Sequence, residues 1–148
     1  MPNFECDIDP SLIIDPLTIT EIVSSKSFLG GDWLRNVRHR LFNEPEVKKW
    51  FIPVDCSYWN IDVVTIVEPL TVIPEHAHDE PVMRYVLEGS MELNGVLYEV
   101  GDWVIVPTNF RYAIQTRDGY KILSRYHDSC KECTWAALSK LPTGRLEA

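Results

Sequence analysis

Pro74-Glu75-His76-Ala77-His78-Asp79-Glu80, followed by Tyr85-Val86-Leu87-Glu88-Gly89, is the stretch whose reading decides the fold. Side chains alternate along an extended strand, so His76 and His78 point to the same side. Two imidazoles aimed together into an interior are half of a metal site or a pair of proton carriers. Around them the chain is a succession of short strands. Tyr58 to Glu68 is rich in β-branched and aromatic residues and stops at Pro69. Val82 to Leu87 follows the histidines and breaks at Glu88-Gly89. Met91-Glu92-Leu93 and Val96 to Glu99 flank Asn94-Gly95, a strong two-residue hairpin signal. Trp103 to Val106 ends at Pro107. Phe110 to Thr116 and Tyr120 to His127 flank a second turn, Arg117-Asp118-Gly119. Such spacing predicts an all-β sandwich or small barrel.

The 148 residues include 45% hydrophobic side chains, enough for one domain with a real core. Ten Pro and seven Gly fit many turns. The net charge of −8 disfavours nucleic acid and anionic membrane as partners. No apolar run has the length of a membrane span, and Met1 to Asp7 lacks the basic-then-apolar pattern of a signal peptide, so a cytoplasmic protein is expected. Residues 1–46 read as an N-terminal arm with short pieces around Asp9-Pro10 and Asp15-Pro16. Residues 32–44 fit a short helix or a strand about equally. Residues 47–148 read as the barrel, with Val47 to Val54 as its first strand candidate. Cys130-Lys131-Glu132-Cys133 has no second ligand pair, so Cys6, Cys56, Cys130 and Cys133 are expected to be reduced thiols.

His76-Ala77-His78 with Tyr85 to Gly89 resembles the first cupin motif. Gly101-Asp102-Trp103-Val104-Ile105-Val106-Pro107 resembles the start of the second. Within that superfamily, Pro81-Val82 and Tyr85 to Gly89, with Trp50-Phe51 and Trp59 upstream, look similar to the dihydroxyacetophenone dioxygenase-like cupins. The resemblance implies a single-domain cupin β-barrel of jelly-roll type with an N-terminal arm, a homodimer, and a divalent metal. Fe(II) is the first choice, Zn, Ni or Mn are alternatives, and a metal-free site stays open. The ligand set departs from the pattern. Pro81 and Val82 stand at the two positions where a glutamate is usual, Tyr112 where a third histidine is usual, and Asn109 where a glycine is usual. Completion of a metal site would then fall to Glu80, Tyr112 or His127 beside His76 and His78.

Three functions follow. The first is metal-dependent, dioxygenase-type cleavage of an aromatic or carbonyl-containing small molecule. The second is a non-oxidative cyclase, isomerase or lyase in which His76, His78 and Tyr112 move protons. The third is a non-catalytic binding or sensor module. Tyr58, Trp59, Met83, Tyr85, Trp103 and Phe110 are the candidate pocket walls. Arg84 shares a face with Val82 and Val86, and an inward-facing Arg84 would anchor an anionic substrate.

Overall fold

A computed structural model describes residues 10–33, 38–39, 46, 49–130 and 142–147. The described strands are β1 (Val23–Ser24), β2 (Arg38–His39), β3 (Lys49–Trp50), β4 (Ile61–Val67), β5 (Thr71–His76), β6 (Val82–Leu93), β7 (Val96–Glu99), β8 (Trp103–Val106), β9 (Tyr112–Thr116), β10 (Tyr120–Tyr126) and β11 (Gly144–Arg145). All their pairings are antiparallel. Among the described residues no helix is long and apolar enough to cross a membrane.

β6 joins two sheets. Its first part, Val82 to Gly89, lies between β8 and β10, giving the order β4-β10-β6-β8-β1. Its last residues, Ser90 to Leu93, pair with β7 and β9, giving β7-β6-β9-β5-β11. The two sheets face each other in a barrel of jelly-roll type, the all-β architecture expected from the sequence. The break expected at Glu88-Gly89 is a corner, not an end. Gly89 takes φ +71°, and the strand passes from one sheet to the other there. The Asn94-Gly95 hairpin has φ of 47° and 81°, the left-handed pair that a two-residue turn between twisted strands requires.

The barrel core consists of Val86, Met91, Leu93, Tyr98, Val104, Val106, Tyr112, Ile114, Tyr120 and Ile122. Each fully buried aliphatic side chain there contributes roughly 1.5–3 kcal/mol. A second cluster, Trp33, Val54, Trp59, Met83, Trp103 and Ile105, lies against Ile14, Ile19, Val23 and Phe28 of the arm. The arm is held to the second motif of its own chain. Ser25 Oγ donates to Asp102 Oδ1 (2.9 Å), and Ser25 N donates to Trp103 O (2.9 Å). The arm therefore covers the outer face of the β8 side of the sheet. Of residues 32–44, only 32, 33, 38 and 39 are described, so the helix-or-strand question falls outside the described residues, apart from the β2–β3 pair. Within Val47 to Val54, the described strand is Lys49–Trp50 alone.

Asn109 occupies the glycine position of the second motif with φ +59°, and its N–H donates to His78 O (2.7 Å). Asparagine tolerates this left-handed conformation better than any residue except glycine. Replacement by Gly should therefore shift stability by no more than about 0.5 kcal/mol, whereas Asn109→Val should lose about 1–2 kcal/mol. Urea unfolding of the two variants checks this, and equal losses would show that the turn is not what selects the residue.

Candidate functional site

β5 and β9 are neighbours, and their register puts His76 opposite Tyr112. Pairing between them is irregular from Ile73 to His76, where Pro74 brings no N–H to the ladder. The Pro74 carbonyl lies 2.8 Å from His76 Nδ1. A carbonyl only accepts, so Nδ1 carries the proton, and in the neutral ring Nε2 holds the lone pair. His76 lines the barrel cavity, and its Nε2 makes no hydrogen bond among the described residues.

His78 follows β5 and is 3% exposed. The His76 and His78 rings meet edge to face with centroids 5.1 Å apart, and the Tyr112 ring is 4.5 Å from that of His76. His78 Nε2 lies 2.9 Å from the Tyr112 hydroxyl. Arg84 Nη2 donates to the same hydroxyl (2.6 Å). Since guanidinium cannot accept, the Tyr112 O–H is left to donate to His78 Nε2.

Arg84 is the residue that gathers the site. Alternation on β6 turns Val82, Arg84 and Val86 to the barrel interior. From the first sheet its guanidinium reaches Tyr112 on the second. Nη1 donates to Ser124 Oγ (2.9 Å) and to the Tyr126 hydroxyl (3.2 Å), both on β10. Every one of these partners is a neutral hydroxyl, and Arg84 Nε is buried with no hydrogen-bond partner. Ile61, Val63, Ile73, Ile114 and Ile122 surround this cluster in a cavity of about 480 Å³. Asp128 also lines the cavity but lies against His127 Nδ1 (3.3 Å), and among the described residues no carboxylate pairs with Arg84, so this buried guanidinium makes its part of the interior electropositive.

The titrating groups respond accordingly. Burial, then the Arg84 charge and then His76, push His78 down to about 3, so its ring is neutral at physiological pH. His76 is lowered as well, chiefly by burial, with the Pro74 hydrogen bond opposing and Arg84 and Arg111 adding to the fall. Burial raises Tyr112, and Arg84 works against it. Burial likewise lifts Tyr120 to about 12.

The structure separates other candidate residues from this cluster. Glu80 accepts from the Tyr58 hydroxyl and from Ser129 Oγ (2.7 Å). His127 stacks on Tyr58, with centroids 4.6 Å apart, and its Nδ1 lies 2.6 Å from Ser129 Oγ. His127 does line the cavity, but its recorded partners are at this rim and not at the histidine pair. None of the six proposed aromatic and sulfur walls lines the cavity. Trp59, Met83 and Trp103 belong to the cluster under the arm, with Tyr58 and Tyr85 packed on it, and Phe110 packs on the barrel core. Met83 and Tyr85 alternate away from Arg84, and line a second cavity of about 460 Å³ on the other face. Cys56 is a free thiol, but Cys130 is disulfide-bonded, which corrects the expectation of reduced thiols there. Its partner lies outside the described residues.

A metal ion, implied by the cupin likeness, does not fit the donor set found here. Among the described residues no three His, Cys, Asp or Glu side chains come together to hold one. His76 and His78 supply two neutral imidazoles, and the remaining nearby oxygen, that of Tyr112, already accepts from a guanidinium. A dication would face that positive charge, and among the described residues no carboxylate is grouped with the two imidazoles to offset it.

No family model matches the chain, and neither does any curated protein. Solved structures similar to it include salicylate 1,2-dioxygenase from Pseudaminobacter salicylatoxidans, at 14% identity and a TM-score of 0.42 over 87% of this chain and 31% of that one. A mutant of that enzyme aligns at 19% identity and a TM-score of 0.38, over 55% of this chain and 24% of the other. This chain thus spans about a third or less of the length of the structures it matches.

Proposed function

We propose that this barrel is a small-molecule enzyme of the non-oxidative class, an isomerase, lyase or cyclase, that moves a proton on a carbonyl-containing substrate. The observation that carries the reading is His76. Its Nδ1 is committed to Pro74 O, so its open Nε2 is a base directed by the fold. The lowered pKa keeps that base unprotonated at neutral pH. Negative charge building on the substrate as the proton leaves has the opposite sign to Arg84 in the same cavity. The aliphatic residues of the lining lower the local polarity and strengthen that attraction. Tyr112 ties the Arg84 guanidinium to the His78 imidazole, and His76 is the group that takes the proton.

The test is hydrogen–deuterium exchange in D₂O, followed by proton NMR, on a panel of 2-oxo acids and cyclic ketones. Wild type should exchange the proton next to the carbonyl well above the buffer rate. His76→Gln should lower that rate by roughly 100-fold or more. The acid limb of the profile should lie below pH 6.5, because the base form persists to lower pH than in a free imidazole. Absence of exchange, together with stoichiometric metal and oxygen uptake, would replace this reading with the metal-dependent dioxygenase one. Ligand binding without turnover, unchanged in His76→Gln, would leave a sensor.

A further inference from the structure

We infer that the cavity binds its substrate as an apolar monocarboxylate, with the carboxylate seated on Arg84. This deepens the proposed function by naming a substrate class for the same site. The guanidinium carries five N–H groups in a fixed fork. The recorded hydrogen bonds to Ser124, Tyr126 and Tyr112 engage Nη1 twice and Nη2 once. Nε has no partner although it is buried, and Arg84 as a whole is only 6% exposed. Nε and Nη2 lie along one edge of the guanidinium, the edge that a carboxylate engages with two parallel hydrogen bonds.

The charge count points the same way. A buried cation is normally offset by a buried carboxylate. The recorded partners of Arg84 are neutral hydroxyls, and its two nearest imidazoles are held neutral. Glu80, Asp62 and the cavity-lining Asp128 are engaged elsewhere, with Tyr58 and Ser129, with Arg125, and with His127. Among the described residues no carboxylate pairs with Arg84, so the balancing negative charge is one that a ligand brings. The rest of the ligand meets chiefly Ile61, Val63, Ile73, Ile114 and Ile122, which offer dispersion contacts, with the hydroxyl residues Thr65, Tyr120 and Thr143 interspersed in the lining. A volume of about 480 Å³ suits a compact molecule and falls at the small end of ordinary ligand cavities.

Isothermal titration of the full chain with 2-naphthoate and octanoate, each paired with its neutral counterpart (2-naphthamide and 1-octanol), tests the assignment. At least one carboxylate should bind at least tenfold more tightly than its neutral partner. Arg84→Met should erase that preference, and His76→Gln should keep it. If Arg84→Met does not fold by circular dichroism, Arg84→Lys serves instead: it retains the charge without the fork, and should keep the order of preference while weakening carboxylate binding. Equal affinity for acid and neutral partner, no binding of either acid at millimolar concentration, or an unchanged preference in a folded Arg84 variant would overturn the proposal. Carboxylate binding that depends on Arg84, without any proton exchange, would uphold the anion site and remove the catalytic reading.

Discussion

Gly89→Ala is expected to cost about 4 kcal/mol or more, a large share of the roughly 5–15 kcal/mol that holds a folded domain together. Two independent effects add at this position. The backbone has φ +71°, where an L side chain costs roughly 1–2 kcal/mol. A Cβ at Gly89 would also stand 2.0 Å from the carbonyl oxygen of Gly119 and 3.0 Å from Tyr120 Cα. Those are backbone atoms, so no side-chain rotation relieves the clash. Relief requires moving β6 away from β10, and the Ser90 N to Gly119 O bond (3.1 Å) breaks with it. Because β6 belongs to both sheets, the displacement is felt in each. Gly95→Ala is the matched control. It has φ +81° but nothing within 4 Å of the added methyl, so only the conformational cost applies, about 1–2 kcal/mol. Urea unfolding of the two variants measures the difference, and equal losses would refute the role given to the Gly119 contact.

The same corner shows what the amino-acid order makes legible. His76-Ala77-His78, Gly101 to Pro107 and the Asn94-Gly95 turn are local signals, and local signals lead to the barrel. The pairing of His76 with Tyr112 on the site wall follows once those strands are placed. Facing is harder to read. Alternation groups Arg84 with Val82 and Val86, but contrast between faces is weak where both are covered. Val82, Met83, Arg84 and Val86 are all buried, as are all four residues of β8. The arm creates this condition by adding an apolar layer outside the sheet, and a sheet buried on both faces reads as a continuous apolar run. Trp59 and Trp103 therefore went to the outer cluster, while aliphatic residues, tyrosines, the histidine pair and an arginine face the cavity. The bond from Arg84 to Tyr112 crosses between the sheets and depends on their separation, which no local pattern encodes.

Acid should destabilise the protein through His78 by on the order of 4–5 kcal/mol between pH 6.5 and 3, the energy equivalent of its displaced pKa. The folded ring resists protonation down to about 3, whereas in the unfolded chain it protonates near 6.5. Between those limits the unfolded state binds more protons, so stability rises with pH in that window. The contribution is complete above about pH 6.5 and is lost progressively as pH falls. His76, lowered for the same leading reason, acts with the same sign. Carboxylates also contribute to acid unfolding, so the diagnostic is a difference between variants. His78→Gln keeps an acceptor for the Tyr112 O–H and removes the titrating ring. Unfolding free energy plotted from pH 7 to 4 should fall less steeply in this variant, by up to about 1.4 kcal/mol per pH unit, the limit for one proton. Parallel curves would mean that His78 titrates as a solvated imidazole. The positive interior drawn around Arg84 would then have to be abandoned, because that charge and burial together are what hold the ring neutral.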